Sequence, residues 1–447
     1  MTPPQKLAVE IWSPLPPQES GVADYVQEQL EILDRSLDLT LVVESAKGTE
    51  EGLHKDYRVI PPAQSDPTKL RVYHVGNSPL HAFIYDEAIK VPGVVVLHEW
   101  NLHELLLGKA VASQNFDAYR GRMRREHGER GSIAAGAIAT ALGGRHWTGA
   151  FPLTGEILQR ALAVVCLSGA TATSVRARRP GGRLLHLPHH ALLQSNAATR
   201  SEARNLLGLE DGARVVLLPG LGTAAKSFDV ARAAVDWIRP RVRNVLLVTV
   251  GGSSVAGGSV AGGVEENKGA APKWVRPLGR VDLLTLGDAL LAADVVLALR
   301  FPSRGEASGV LMRALAAGRA SIVSAGSTAD EDLPEGVVGR VNPGPRECLE
   351  LGGLLEFLLQ GDDARLRMER LARAMAQTRC LEPLTETLAG FLQDVSKERG
   401  ELESDLERKM AQAAGVRPLF RDDLEAAASS LGLAHLPANV FEKMSGL

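Results

Sequence analysis

The chain has 447 residues, enough for two or three domains with sizeable cores, so a small binding module is excluded. Its 50 Lys and Arg against 53 Asp and Glu give a net charge of -3, which does not favour nucleic acid as a partner. With 45% hydrophobic and 23% charged residues, the composition is that of a folded globular protein rather than a disordered chain.

The cysteine pattern and the hydropathy predict a cytoplasmic protein. Cys166, Cys348 and Cys380 lie far apart, with no CxxC pair and no histidine at zinc-finger spacing, which suits a reducing compartment. The N-terminal MTPPQKLAVEIW lacks the apolar segment of a signal peptide, and no run approaches the roughly 18 apolar residues that span a bilayer. Any membrane contact is therefore expected to be peripheral, on the inner face.

Short apolar runs alternate with longer helical patterns, which is typical of parallel strands joined by crossover helices. Five runs in the first half predict one open sheet, at residues 7–12, 39–44, 70–76, 93–99 and 163–168. Five more predict a second sheet, at residues 214–220, 244–252, 274–279, 293–300 and 320–326. Continuous apolar strands of this kind are buried on both faces, as in doubly wound folds.

The domain boundaries follow from this alternation of predicted strands and helices. We expect one doubly wound domain at residues 1–195, a second at 210–378 and a helical tail at 379–447, in which Leu402, Leu406 and Met410 recur at helical spacing. In such folds ligands bind outside the carboxyl ends of the strands, so two domains in tandem predict a binding cleft between them.

Two strand-to-helix junctions have phosphate-binding features. SPLPPQESGVADY, at residues 13–25, places Gly21 at a predicted helix start, where backbone N–H groups can meet phosphate. VVLLPGLGTAAKSFDV, at residues 215–230, offers Gly220 and Gly222 followed by Lys226, although its spacing is not that of a Walker A loop. The alternatives are an ordinary turn at Gly21 and a solvated lysine at Lys226.

A histidine stands near the carboxyl end of the fourth predicted strand. In GVVVLHEWNLHELL, residues 93–106, His98 stands at the carboxyl end of the strand, where α/β proteins place functional side chains. A buried, hydrogen-bonded histidine is the alternative. His98 and His103 do not have the spacing of a helical metal pair and no third ligand is evident, so we expect no metal.

The glycine-rich run at residues 251–270 lacks the GxGxxG pattern of a dinucleotide site. It predicts a loop, either mobile over the cleft or a plain insertion.

The most informative stretch is ADVVLALRFPSRGEASGVLMRALAAG, residues 293–318. A buried strand ends at Arg300, a turn presents Glu306, and Ser308, Gly309 and Val310 lead into a helix. A carboxylate beside anion-binding amides suits a ligand with both hydroxyls and phosphate, as in a sugar nucleotide. A capping acid in the first turn of a helix is the alternative.

An arginine-rich stretch, AYRGRMRREHGERG at residues 118–131, precedes an alanine-rich one. Contact with anionic lipid is one hypothesis. A solvated helix face is the alternative, favoured because Asp117, Glu126 and Glu129 dilute the charge.

On these motifs and their order, residues 7 to 390 resemble the retaining glycosyltransferases of the GT-B fold, in the large glycosyltransferase family 4. The resemblance implies two Rossmann-like domains facing across a cleft, an acceptor-side N-terminal domain, a donor-binding C-terminal domain, and last helices that cross back to the first domain. It implies transfer of a sugar with retention from a nucleotide-sugar, a UDP- or GDP-sugar, to a glycan, lipid-linked or small-molecule acceptor. No cofactor or metal is required by this scheme.

The resemblance also assigns roles to residues. Lys226 would contact the donor diphosphate, Glu306 would hold sugar hydroxyls, and the amides around Ser308, Gly309 and Val310 would hold phosphate. Gly21 would approach the same phosphates from the other domain, and His98 would lie near the transferred sugar.

Three departures from the family pattern are visible. The family's second donor glutamate aligns with Arg313, the first with Gly305 rather than Glu306, and an arginine expected before Lys226 is Leu221. Arg280, Arg300 or Arg304 are candidates to supply the missing positive charge. These departures motivate an alternative, a non-catalytic GT-B protein that binds a nucleotide or a protein partner. A sugar-nucleotide epimerase is a third hypothesis, which the HEW motif does not favour.

Overall fold

The computed structural model describes residues 6–45, 49–140, 146–220, 227–251 and 272–412. The contacts divide the chain into two compact units. Unit 1 comprises the described residues within Met1–Leu167, Thr171–Leu187 and Thr385–Leu447, and unit 2 comprises Ser168–Ala170 and those within Pro188–Leu384. The predicted loop at 252–270, Lys226 with Leu221 and Gly222, and the tail beyond residue 412 lie outside the described residues.

Unit 1 is built on a parallel sheet of seven strands in the order β3-β2-β1-β4-β5-β6-β7. The strands are β1 (Leu7–Trp12), β2 (Leu37–Val42), β3 (Arg58–Ile60), β4 (Leu70–Val75), β5 (Val94–Leu97), β6 (Ala163–Cys166) and β7 (Arg183–His186). The five predicted strands are confirmed, but the predicted count was too low. The two missed strands lie at the edges of the sheet, where partial burial leaves no continuous apolar run.

Unit 2 contains a parallel sheet of six strands in the order β10-β9-β8-β11-β12-β13. The strands are β8 (Arg214–Pro219), β9 (Val245–Val250), β10 (Val275–Pro277), β11 (Val295–Ala298), β12 (Ala320–Ser324) and β13 (Gly339–Val341). Five of them were predicted, and the missed β13 is a three-residue edge strand. The doubly wound architecture predicted for both domains is confirmed.

The helices follow the strands as crossover connections. In chain order they are α1 (Gly21–Asp34), α2 (Glu51–Asp56), α3 (Ala82–Ala88), α4 (His103–Ser113), α5 (Phe116–Ala139), α6 (His146–Ala150), α7 (Gly155–Arg160), α8 (Gly169–Arg178), α9 (Arg200–Leu206), α10 (Phe228–Ile238), α11 (Leu283–Ala292), α12 (Gly309–Ala316), α13 (Thr328–Glu331), α14 (Glu347–Gln360), α15 (Asp362–Gln377) and α16 (Leu381–Lys397). Residues 399–412 are also helical, as the spacing of Leu402, Leu406 and Met410 predicts.

The strand order reverses once in each sheet, and this places the functional edge. Chain order runs outward from β1 in one direction and from β4 in the other, and likewise from β8 and β11. At such a switch point the connections that leave the two adjacent strands diverge to opposite faces, which opens a crevice at their carboxyl ends. The ends of β1 and β4 in unit 1, and of β8 and β11 in unit 2, are therefore the places to look for a site.

The C-terminal helical residues contact the unit 1 sheet region. Arg399 donates hydrogen bonds to the carbonyl oxygens of Pro67, Thr68 and Lys69, the second over 2.9 Å. Glu398 pairs with Arg183 of β7 over 3.3 Å. The start of the 399–412 helix is thus anchored by polar contacts as well as by buried Leu406.

The arginine-rich stretch forms the first half of α5, which Gly128 interrupts with a φ of 63°. Arg122 is bound to Glu156 over 2.6 Å, whereas Arg120, Arg125 and Arg130 are exposed. Among the helices of the described ranges, none combines the length and the apolar character that crossing a bilayer requires.

A buried carboxylate fixes the segment that leads into unit 2. Asp288 of α11 is 3% exposed and accepts hydrogen bonds from Ser195 Oγ (2.6 Å), the Asn196 amides (2.9 and 2.8 Å) and the Ala197 N–H (3.0 Å). Burial by itself raises the pKa of the Asp288 carboxyl, but these hydrogen bonds outweigh it and hold the pKa below its usual range. Beside it, a Cβ on Gly287 would lie 1.7 Å from the Gln194 carbonyl oxygen, so the segment lies directly on α11.

We predict that Asp288→Asn lowers the free energy of unfolding by about 2–4 kcal/mol at pH 7, because it removes the charge and one acceptor from this set of hydrogen bonds. A carboxyl with a lowered native pKa stabilises the fold above its unfolded pKa of about 3.9, and this contribution disappears as the pH falls. The loss of unfolding free energy in Asp288→Asn should therefore reach its full value above about pH 5 and become smaller below about pH 4. Denaturant unfolding across this range measures it, with exposed Asp236→Asn as control; a deficit independent of pH would contradict it.

Candidate functional site

The candidate site of unit 2 is the loop that joins β11 to α12. Its second residue, Arg300, donates its backbone N–H to Ser324 Oγ at the end of β12 over 3.0 Å. Further on, Ser303 Oγ lies 2.9 Å from the hydroxyl of Thr328, the first residue of α13. Two side-chain contacts to the neighbouring strand end therefore hold the loop at the carboxyl edge of the sheet.

Glu306 is the central side chain of this loop. It is 6% exposed, and its Oε1 receives Arg300 Nε over 2.9 Å while its Oε2 receives the Arg304 backbone N–H over 2.6 Å. Gly305 precedes it with a φ of 79°, in the left-handed region that favours glycine. The glycine at the position of the family's first glutamate thus shapes a turn in which Glu306 is held from both sides.

Helix α12 begins immediately after this carboxylate. Ser308 is its N-cap, and its Oγ accepts the Leu311 N–H over 3.3 Å. The following N–H groups, those of Gly309 and Val310, lie in the first turn, where an α-helix leaves backbone donors for an anion. The structure therefore places the ion pair of Arg300 and Glu306 directly before the first turn of α12.

Sequence analysis did not single out His189, which lies beside the start of α12. A Cβ on Gly309 would approach His189 Nε2 to 3.2 Å, so the glycine leaves room for this ring. His189 Nδ1 lies 2.8 Å from the His190 carbonyl oxygen. The sequence feature that could have indicated this residue is the pair of consecutive histidines, His189 and His190, that follows β7.

Arg313, which stands where the family has its second glutamate, has a structural contact. It lies in the second turn of α12, is 9% exposed, and donates to the Leu192 carbonyl oxygen over 3.3 Å. This arginine links α12 to the segment at the start of unit 2.

The remaining predicted donor residues of unit 2 lie elsewhere or outside the described residues. Gly220 directly follows β8, has a φ of 121° and donates its N–H to the Val250 carbonyl oxygen over 2.8 Å. Lys226 itself is not described, but Ser227 after it has a φ of 50° and precedes α10. Exposed Arg280 follows β10, three strands from β11, or about 14 Å at a strand spacing of about 4.8 Å.

In unit 1, His98 directly follows β5 and is 8% exposed. Its backbone N–H donates to the Val75 carbonyl oxygen over 3.0 Å, and its Nε2 lies 3.1 Å from Nδ1 of His74 in β4. The ring of Tyr25 in α1 meets the His98 ring edge-on, with 5.0 Å between ring centroids. One side of His98 is thus held in a polar and aromatic environment.

The imidazoles behind His98 are neutral at ordinary pH. Burial, and secondarily the charge of His81, lower the pKa of His74 to about 3. Burial likewise lowers the pKa of His81 to about 4. Since a carbonyl oxygen only accepts, the 3.0 Å contact between His81 Nδ1 and the His74 carbonyl means that His81 carries its proton on Nδ1.

The predicted phosphate-approaching glycine of unit 1, Gly21, is the first residue of α1. Ser20 caps this helix, and its Oγ accepts the Val22 N–H over 3.2 Å. Gly21 is exposed, and a Cβ there would meet nothing within 4 Å. Packing inside unit 1 therefore does not require a glycine at this position.

Within the described ranges, no group of three or more His, Cys, Asp and Glu side chains could hold a metal ion. His103, the other histidine of the HEWNLH stretch, is fully buried, with Nδ1 2.7 Å from the Phe151 carbonyl and Nε2 2.5 Å from the Tyr119 hydroxyl. It has a structural role.

No protein-family model matches the sequence, and no curated protein matches it. Several solved structures are similar to the chain. Anabaena HepE in complex with UDP and glucose is 14% identical with a TM-score of 0.55, over 87% of this chain and all of that one. Sucrose-phosphate synthase from Thermosynechococcus elongatus is 14% identical with a TM-score of 0.60, and a UDP-forming trehalose-phosphate synthase from Burkholderia xenovorans is 12% identical with a TM-score of 0.54, each over 88% of this chain and all of its own. The chain has the GT-B fold, as predicted.

We predict a favourable coupling of about 1–2 kcal/mol between Arg300 and Glu306, because removing Arg300 leaves the charge of the buried Glu306 poorly compensated. The double-mutant cycle of Arg300→Met and Glu306→Gln, followed by denaturant unfolding, measures it. The exposed pair Arg239 and Asp236 is the matched control and should couple by less than about 0.5 kcal/mol. Zero coupling at Arg300 and Glu306 would contradict the pairing.

Proposed function

We propose that the protein is a glycosyltransferase that transfers a sugar from a nucleotide-sugar, a UDP-sugar, to a hydroxyl group of a glycan, lipid-linked or small-molecule acceptor, with retention of configuration. The observation that carries the proposal is the buried Glu306, held by Arg300, directly before the first turn of α12. The fold comparisons support it, since HepE is bound to UDP and glucose and the Burkholderia synthase is described as UDP-forming.

This arrangement suits the two halves of a donor. An ionised carboxylate only accepts hydrogen bonds, and each of its oxygens has two lone pairs, so Glu306 can receive sugar hydroxyls while still bound to Arg300 and Arg304. The N–H groups of Gly309 and Val310 and the positive end of the α12 dipole suit a diphosphate. In the proposal Ser308 orients this turn, and Arg300 adds positive charge beside it.

The reaction follows from that placement. The bond between the anomeric carbon and the β-phosphate oxygen breaks, and the electron pair leaves with the nucleoside diphosphate. The first turn of α12 and Lys226 stabilise the charge that develops on the leaving oxygen, which is the largest contribution expected from preorganised donors. The acceptor oxygen bonds to the anomeric carbon on the same face, and its proton passes to the departing phosphate.

The other predicted residues have assigned places in this proposal. Gly220 lets the backbone approach the phosphates and Arg280 contributes positive charge further along the strand ends. Unit 1 supplies the acceptor side, with His98 near the transferred sugar and Gly21 near the phosphates. A metal ion has no step in this scheme.

One observation favours a second function, that of a GT-B protein that binds a nucleotide without transferring a sugar. Arg313 occupies the position of the family's ribose-binding glutamate and is bonded to Leu192. On that reading the ribose contact is lost and turnover with it, whereas binding of the diphosphate can persist.

We predict that UDP and UDP-sugars raise the unfolding temperature of the full chain more than GDP, ADP, TDP and their sugars do, because a ligand that binds only the native state stabilises it. Thermal unfolding with each nucleotide at millimolar concentration is the measurement. Stabilisation by GDP compounds alone would mean that the donor is a GDP-sugar rather than a UDP-sugar. The absence of stabilisation by any nucleotide would contradict a donor site in unit 2.

We predict that Glu306→Gln and Lys226→Ala each reduce sugar transfer by about a hundredfold, as expected for the loss of a preorganised transition-state contact. Release of UDP and the anomeric configuration of the product, followed by NMR, are the measurements. Glu335→Gln and Lys273→Ala, which change exposed residues of unit 2, are matched controls and should retain full activity. Nucleotide binding without turnover in the unchanged protein would favour the non-catalytic function, and an inverted product would contradict retention.

A further inference from the structure

A buried histidine in unit 1 has no part in the proposed function. His74 lies in β4, opposite Val96 of β5, and is 1% exposed. Valines occupy the positions two residues before it and one after it, so an apolar side chain would be the ordinary occupant of this strand. A polar ring in such a place costs free energy unless it is hydrogen-bonded.

The His98 ring supplies that hydrogen bond. His74 Nδ1 and His98 Nε2 are 3.1 Å apart, within the range of an N–H···N hydrogen bond between two imidazoles. Because burial holds the pKa of His74 at about 3, this ring is neutral, and a single proton occupies the contact. The tautomer of each ring is therefore tied to that of the other.

Neighbouring side chains contact the His74 backbone and the His98 ring. His81 donates from Nδ1 to the His74 backbone carbonyl, and its Nε2 would lie 2.9 Å from a Cβ on Gly76, so only glycine leaves room for it there. Tyr25 stands edge-on to His98 with 5.0 Å between centroids. His98 is thereby held against His74 rather than left to rotate.

We propose that His74 is a positioning residue for His98: it holds Nε2 of His98 toward the interior of unit 1 and sets one tautomer, which decides whether Nδ1 of His98 is a donor or an acceptor. The contact between the His74 and His98 rings does not depend on any enzymatic activity, but its consequence for sugar transfer rests on the proposed function.

The consequence is a preset hydrogen-bonding character. A neutral imidazole has one donor and one acceptor nitrogen, so the proton assignment at Nε2 decides whether Nδ1 donates to a sugar oxygen or accepts from a sugar hydroxyl. Removing the partner that orients a metal-binding histidine commonly changes affinity or activity by about 10-fold to 100-fold, and we expect an effect toward the lower end of that range for His98. His74 thus selects what His98 can bind.

The direct test is the tautomer of His98 in the unchanged full chain. Nitrogen-15 NMR of ring-labelled histidine separates protonated from unprotonated ring nitrogens, and His98→Gln identifies the signals. We expect a single protonation pattern for the His98 ring, with Nε2 in a hydrogen bond. An equal mixture of both tautomers would overturn the proposal, and this measurement needs no activity.

Two substitutions at His74 separate positioning from stability. His74→Leu removes the hydrogen bond and should give mixed tautomers of His98, whereas His74→Asn keeps a polar atom near the position of Nδ1 and should restore one tautomer. His103→Leu makes the same change at another fully buried histidine of unit 1 and should lower stability without moving the His98 signals. His98 signals unchanged in His74→Leu would overturn the proposal.

Kinetics then connect the tautomer to transfer. For His74→Leu we expect kcat about 10-fold lower with the donor KM within about twofold, and for His74→Asn recovery to within about threefold of the unchanged protein. Equal loss in both variants would assign His74 a merely structural role and overturn the proposal. If the unchanged protein transfers no sugar, the proposed function fails, and the NMR result still decides the positioning role. Should His74→Leu not fold, the unchanged chain and His74→Asn provide the same decision.

Discussion

Burial of parallel strands on both faces is the constraint on which each unit depends. A parallel sheet needs crossover helices, and runs such as VVVL of β5 and AVVC of β6 are covered on both sides because helices lie on both faces. Every connection of this kind begins at the carboxyl edge of the sheet, so helix N-termini and loop side chains collect there. The chemistry of both candidate sites follows from that edge rather than from any single residue.

In unit 2 this edge combines charge with backbone dipoles. Glu306 is deeply buried, and an ionised carboxylate in such a place is costly unless it is paired and hydrogen-bonded. Arg300 and the Arg304 N–H meet that requirement from within the same loop. The carboxylate that the proposed function assigns to sugar hydroxyls is therefore fixed before any ligand arrives, which is what preorganisation requires.

In unit 1 the same edge uses neutral groups. Burial keeps His74 and His81 uncharged, so their rings act through directional hydrogen bonds instead of charge. His81 is bonded to the His74 backbone carbonyl, and the His74 ring contacts the His98 ring at the end of β5. A charged cluster there would titrate, whereas His74 and His81 keep the same protonation over the ordinary pH range.

The sequence by itself determined the doubly wound architecture, ten of the strands, and the helix starts at Ser20 and Ser308, because apolar runs and capping residues are local signals. It also identified the 293–318 stretch, where strand end, carboxylate and helix start are contiguous. Only the tertiary structure decided the three short edge strands, the contact of His74 with His98, and the bond from Arg313 to Leu192. The two side-chain contacts join residues that are 24 and 121 positions apart in the chain. They meet because strand pairing and helix packing bring them together, and no local sequence pattern predicts such a contact.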